Sequence, residues 1–185
     1  MPDTPFIQDG SNSGMLDDLR WPDDDLTRIP DWIYTSKAIL ERERERIFLG
    51  KCWNYVALEA EFDEIGSFKR SYVGDVPVIV TRSDEDEWKV FENRCAHRGV
   101  EFCRESRGKA REFICPYHHW TYDISGKLIA VPFRRGDKGR GGMPEDFNME
   151  EYNPRQFRVA RRNGVVFATL SDATETLEEY LGPET

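Results

Sequence analysis

Cys95-Ala96-His97 and Cys115-Pro116-Tyr117-His118 place two thiols and two imidazoles in the middle of a 185-residue chain. Written as a pattern, the run is C-x-H-x17-C-x-x-H. Each short pair offers one sulfur and one nitrogen on a tight loop. Two such loops facing each other can give both sulfurs to one metal and both nitrogens to another. That is the ligand division of a [2Fe–2S] cluster held by two cysteines and two histidines, an electron carrier. A structural zinc site draws on the same residue types, but its knuckles are usually Cys-x2–4-Cys followed by His-x3–5-His. Here each knuckle mixes the two types, which favours the two-iron reading. A non-redox zinc module is the alternative from another class of function.

The elements around these loops read as mostly strands. Ser36 is a candidate N-cap for a helix over residues 37–49, with Gly50 as its stop. Within it Glu41–Arg46 alternates in sign, the pattern of a solvated face with i,i+3 and i,i+4 ion pairs. Ile39, Leu40, Ile47 and Phe48 are its expected buried stripe. Strands are expected over Trp53–Leu58, Phe68–Val73, Val76–Arg82, Trp88–Glu92, Glu112–Ile114, Trp120–Ile124, Lys127–Val131, Arg155–Arg161 and Val165–Leu170. Asn163-Gly164 is a strong two-residue turn signal, and Gly74-Asp75 and Ser125-Gly126 are weaker ones. Asp172–Leu181 reads as a short terminal helix, broken by Gly182-Pro183. The sum is a mainly β, antiparallel domain over about 50–170, with no internal repeat.

Composition and charge exclude several classes. Apolar residues make up 38% of the chain, and 14 glycines bring the total to an ordinary globular value. No run of 18 apolar residues exists, so no membrane span is expected. The N-terminus has neither a basic n-region nor an apolar h-region, so no secretory signal is read there and a cytoplasmic location is expected. Cys52 and Cys103 are then reduced, buried small side chains. The net charge of −9 argues against nucleic acid. Residues 1–30 hold seven aspartates against Arg20 and Arg28. Residues 1–35 therefore read as an acidic, extended arm that Trp21 and Ile29 could pin down. Near the two knuckles the sign reverses: residues 98–111 carry Arg98, Arg104, Arg107, Lys109 and Arg111 against Glu101 and Glu105. This basic run is a candidate docking face for an acidic electron donor. The glycine-rich stretch Phe133–Phe147 reads as a long surface loop.

The stretch Asn93-Arg-Cys95-Ala-His97-Arg98-Gly99, then Cys115-Pro-Tyr117-His118-His119-Trp120, then Tyr122 and Gly126, resembles the Rieske domain of the α (large) subunit of aromatic-ring-hydroxylating dioxygenases. The resemblance covers roughly residues 35–181. The Phe133–Phe147 loop is similar to that of the subgroup acting on anthranilate, salicylate or terephthalate. The resemblance implies a Rieske fold of stacked antiparallel sheets, with a short helix before it and a small cluster-binding subdomain at about 93–122 within a domain of 36–171. It implies that Cys95 and Cys115 bind the buried iron, His97 and His118 the outer one, and that Arg98, Tyr117 and Trp120 surround the cluster. His119 departs from the family, where most members have glycine. Respiratory Rieske proteins carry an extra cysteine in each knuckle and a serine donor to a sulfide. Val100, Tyr117 and Trp120 stand at those positions here, so a reduction potential near the low end, about −150 mV, is expected.

Ring hydroxylation also needs a mononuclear non-haem Fe(II) held by two histidines and a carboxylate. The chain has 3 histidines, and the two knuckles use His97 and His118. His119 alone cannot build that triad, so no hydroxylation is expected from these residues by themselves. Residues 172–185 read as a short helix leading toward a catalytic domain that lies outside this sequence. The implied role is an electron relay. A ferredoxin or flavin reductase is the donor, and a catalytic domain of the same or a neighbouring α subunit, in a trimer, is the acceptor. A free-standing Rieske ferredoxin is the alternative, and the lead of about 35 residues, the early helix and the terminal segment argue against it.

Overall fold

A computed structural model describes residues 29–138 and 140–183. The described chain enters through α1 (Trp32–Thr35) and α2 (Lys37–Glu43), and α2 runs on into a π-helical turn over Arg44–Phe48. Ser36 breaks the two helices with an extended backbone, φ −79° and ψ 118°, but its side chain makes no capping hydrogen bond. The expected single helix over 37–49 is thus α-helical only to Glu43. The expected buried stripe is only partly covered: Leu40 is 54% and Ile47 49% exposed, while Ile39 and Phe48 are half-buried. Arg44 makes the expected i,i+3 pair with Glu41, Nη1 to Oε2 at 3.5 Å, and reaches out of the charge run to Asp75, Nε to Oδ1 at 2.6 Å. Gly50 does stop the helix, because a Cβ there would lie 2.3 Å from the Arg46 carbonyl oxygen.

Ten strands follow: β1 (Asn54–Leu58), β2 (Ser67–Val73), β3 (Val76–Arg82), β4 (Trp88–Glu92), β5 (Arg107–Lys109), β6 (Glu112–Ile114), β7 (Thr121–Asp123), β8 (Leu128–Ala130), β9 (Gln156–Arg162) and β10 (Val165–Thr169). Seven form an antiparallel sheet in the order β1-β10-β9-β4-β3-β2-β5, and β6-β7-β8 form a second antiparallel sheet. The large sheet curls until β1 touches β2. Asn163 and Gly164, at φ 51° and 80°, turn β9 into β10 as their dipeptide signals. The expected strand set is recovered with ends that agree to within one residue. β5 was not expected. Its three residues are all exposed, so no hydrophobic period marks it, and it is recruited by pairing with the open edge of β2.

The strand period of two divides the apolar residues between two cores. Val76, Val78 and Val80 of β3 point into the curl with Val56, Val90, Phe157 and Val166. Ile79 points the other way, to a second core with Phe91, Phe113, Tyr122, Leu128, Cys95 and Cys115. That second core lies between the two sheets. The Thr81 hydroxyl donates to the Ile124 carbonyl at 2.8 Å, joining the sheets beside it. Gly126, at φ 81°, lets the β7–β8 turn approach Phe91, whose ring would lie 2.6 Å from an added Cβ.

The terminal helix α3 (Leu177–Leu181) is shorter than the expected Asp172–Leu181. Thr176 caps it in a reciprocal box with Glu179. Residues 172–175 are held to the sheet instead: Arg158 Nη1 donates to the Thr174 carbonyl at 2.7 Å, and the buried Thr169 and Thr174 hydroxyls are 2.9 Å apart. Most of the expected acidic arm, with Trp21, lies outside the described residues. Its last four residues, Trp32–Thr35, are helical, and Ile29 is 52% exposed rather than pinned. Cys103 is buried as expected, whereas Cys52 is only half-buried; both are free thiols. No helix among the described residues is long and apolar enough to cross a membrane.

Candidate metal centre

The two knuckles are built alike. In the first, which follows β4, the Cys95 N–H donates to the Val100 carbonyl and the Gly99 N–H donates to the Cys95 carbonyl, both at 2.8 Å. In the second, which joins β6 to β7, the Cys115 N–H donates to the Trp120 carbonyl at 2.8 Å and the His119 N–H to the Cys115 carbonyl at 2.9 Å. In each, the residue four positions after the cysteine takes a left-handed backbone: Gly99 at φ 70° and His119 at φ 57°. This locates the departure at His119. It stands where the turn wants a glycine, and it is exposed.

Folding brings the four expected donors together. Cys95 and Cys115 are 2% and 1% exposed, and their sulfurs are close enough to interact. The His97 and His118 rings lie with centroids 4.5 Å apart at 70°. The Nδ1 atoms of both histidines are buried without a hydrogen-bond partner. A buried nitrogen left so costs about 1–3 kcal/mol, so two in one place point to an absent partner. Burial pushes the Cys95 thiol up from its ordinary value, against hydrogen bonds from Tyr122 and the backbone that pull it down. Burial, followed by the neighbouring charges of His118 and Arg98, holds His97 below the usual imidazole value, which favours the neutral ring with one nitrogen lone pair open to a metal.

Of the residues expected around the donors, Trp120 and Tyr117 lie against the two imidazoles and Arg98 lies against Tyr117. Trp120, 3% exposed, stacks on His97 with centroids 4.9 Å apart at 9°. The Tyr117 ring lies 3.9 Å from that of His118, and the Arg98 guanidinium sits 5.8 Å over Tyr117. Two further residues were quoted in the sequence only as part of a pattern. The Tyr122 hydroxyl donates to Cys95 Sγ at 3.3 Å and accepts from the Ala96 N–H at 3.1 Å. Asn93 is fully buried, donates to the Cys103 carbonyl at 2.7 Å and accepts from the Cys103 N–H at 2.9 Å. It thereby pins both ends of the loop that carries the first knuckle. Their place two residues from a donor, or on the inward face of β7, was the available signal. A groove of about 570 Å³ between α2 and the β2–β3 hairpin includes none of these residues.

The donor set fits a two-iron cluster. Two sulfurs meet on one side and two unpartnered ring nitrogens on the other. Among the described residues no three His, Cys, Asp or Glu side chains converge as a single metal ion would require. Cys95 and Cys115 could hold one iron, and His97 and His118 through Nδ1 the second.

Known proteins agree. The family model of the Rieske [2Fe-2S] domain matches residues 52–169. The large subunit of anthranilate 1,2-dioxygenase from Burkholderia cepacia is 48% identical over 167 residues, covering 90% of this chain and 40% of the relative. The large oxygenase component of salicylate 5-hydroxylase from a Ralstonia species is 46% identical over 170 residues, again covering 90% of this chain and 40% of the relative. Naphthalene 1,2-dioxygenase from a Rhodococcus species, solved with indole bound, superposes with a TM-score of 0.72 at 33% identity, over 83% of this chain and 34% of that one. The chain therefore spans about 40% of the length of the curated relatives it matches. With nearly half its residues shared with those large subunits and both knuckles in place, the chain belongs to the Rieske [2Fe–2S] domain family, on the branch of the aromatic-ring-hydroxylating oxygenases.

Proposed function

We propose that this chain is the electron relay of a ring-hydroxylating oxygenase. Cys95, Cys115, His97 and His118 hold a [2Fe–2S] cluster, which when bound takes up and releases one electron at a time. The observation that carries the reading is the pair of buried, unpartnered Nδ1 atoms on two imidazoles whose ring centroids are 4.5 Å apart, with two buried thiols on the same two loops. The chain's own residues do the rest. Tyr122 fixes the Cys95 sulfur, Trp120 walls off one face of His97, and neither Nε2 is buried in the manner of Nδ1. Nε2 is thus left at the rim, where an acceptor can approach.

The donor is a ferredoxin or flavin reductase, and the acceptor is a mononuclear iron site formed by residues outside this sequence, in the same or a neighbouring subunit. The named relatives act on anthranilate and salicylate, so an aromatic carboxylate is the proposed substrate class of the whole enzyme. Anaerobic reconstitution with iron and sulfide tests the relay. The expected product is brown, binds about two irons and two sulfides per chain, and gives an EPR signal on dithionite reduction. A colourless protein binding one zinc, with no signal after reconstitution, would leave the structural-module reading in its place.

A further inference from the structure

We propose that the turn Phe133–Arg135 is the docking point for an acidic redox protein, an inference that rests on the electron-relay reading. Phe133 is the most exposed large apolar side chain among the described residues, at 76%, and it holds φ 55°. A bulky side chain in the left-handed region is strained, and strain of that kind persists where the surroundings impose it. Here the loop's own backbone does so. Gly136 N–H donates to the Phe133 carbonyl at 2.8 Å, and Met143 N–H donates to the Arg134 carbonyl at 2.9 Å. Gly142, at φ 103°, sits so close that an added Cβ would lie 2.6 Å from Gly136 N and 2.8 Å from the Arg134 oxygen. The ring of Phe133 is therefore held out into water by a tied loop.

Two arginines follow it. Neither Arg134 nor Arg135 makes an ion pair among the described residues. In the expected basic run at 98–111, Lys109 pairs with Glu64 at 2.6 Å and Glu101 with Arg70 at 3.7 Å, while Arg98, Arg104, Arg107 and Arg111 make no ion pair among the described residues, so Arg135 and that run are the two cationic faces the test must separate. The chain as a whole carries −9, so an acidic partner is repelled over most of its surface and drawn to an uncompensated cationic spot. The turn also connects to the metal centre. The Arg134 guanidinium lies 5.9 Å over the Phe147 ring, Phe147 is 6.1 Å from Trp120, and Trp120 stacks on His97. A partner seated on Phe133 and Arg135 meets the wall that leads to the candidate ligand. In that complex the reduced partner, with a [2Fe–2S] or flavin centre, loses one electron and this chain gains one.

The test uses the reconstituted full chain and an acidic plant-type [2Fe–2S] ferredoxin as probe, with Kd from biolayer interferometry and the reduction rate from stopped flow. Arg135→Glu is expected to weaken binding about tenfold at low salt, and the difference should vanish at high salt. Phe133→Gly suits the left-handed backbone, so it removes the ring without unfolding the loop, and it should weaken binding about tenfold at every salt concentration. Both variants should be reduced by dithionite, with the wild-type EPR signal. If both bind the probe as wild type does, or if Arg104→Glu and Lys109→Glu weaken binding while Arg135→Glu does not, the assignment of the docking point is wrong. If the wild type does not bind the probe, the proposal also fails. Absence of the EPR signal in the wild type after dithionite would instead sink the relay reading itself.

Discussion

Tyr122 places one hydroxyl between a backbone donor and a sulfur. The Ala96 N–H points at the oxygen, so the hydroxyl proton is committed to Cys95 Sγ. Burial, with the neighbouring thiol, pushes the phenol well above its ordinary range, so the proton stays on oxygen. A donor at the sulfur stabilises negative charge there, and reduction adds negative charge. Tyr122→Phe should therefore lower the reduction potential. A hydrogen bond of about 1 kcal/mol corresponds to about 40 mV for a one-electron couple. A redox titration with an unchanged midpoint would show that this hydroxyl only supports the fold. Val100 and Trp120 carry no hydroxyl or thiol to replace it, and the Tyr117 hydroxyl makes no hydrogen bond to either sulfur among the described residues. His119 is the second telling residue. At φ 57° a histidine is among the better tolerated non-glycine residues, a β-branched one among the worst. His119→Gly should leave stability within about 1 kcal/mol of wild type, whereas His119→Ile should cost roughly 1–3 kcal/mol, read from urea midpoints.

The β1–β2 connection places its charge by the same logic. Glu61 accepts from the Leu58 N–H at 2.9 Å, and both its oxygens accept from Lys69 Nζ at 2.7 Å. The Leu58 N–H first, and Lys69 second, hold this carboxyl below the ordinary glutamate value of 4.5. A carboxyl with a lowered folded value contributes fully above that ordinary value, and the contribution is lost as pH falls through the folded one. Urea midpoints of wild type and Glu61→Gln should therefore differ most above pH 4.5 and converge in more acidic solution. A constant gap down to acid pH would mean that the pair contributes through shape alone. Strands such as β3 and β10 were legible because β-branched residues dominate them, β3 as a run buried on both faces and β10 as a partly exposed one. The knuckles were legible because four donors in fixed spacing are rare by chance. β5 was not, since Arg107, Gly108 and Lys109 carry no pattern and pair only because β2 has an open edge. The end of α2 was not legible either: local propensity continues past Glu43, and the contact of Arg44 with Asp75, far along the chain, lies where the helix widens. The hydrogen bonds of Tyr122 and Asn93 depend on loops meeting across the fold, which no single sequence displays.

The molecule as a whole divides its stability between two cores of different kinds. The core inside the curl is made of valines and aromatics and contains no candidate ligand. The core between the sheets includes Cys95 and Cys115 and adjoins the two unpartnered imidazole nitrogens. Without metal, those two nitrogens each cost about 1–3 kcal/mol, so the unfilled site withholds a few kcal/mol from that core alone. For a chain of this size about 3 kcal/mol corresponds to a melting temperature shift of roughly 10 °C. Reconstituted protein should melt higher than metal-free protein by about that amount. The local distribution of the effect is the sharper test. Hydrogen exchange in the metal-free chain should quicken in β6, β7, β8 and both knuckles, because their backbone bonds report on the core between the sheets. Amides of β1, β10 and the inward face of β3 should keep their protection, since the curl closes on itself through β1 and β2. A uniform loss of protection across both groups would mean that the sheets unfold as one unit, and that the metal centre stabilises the curl as much as the loops that carry its ligands.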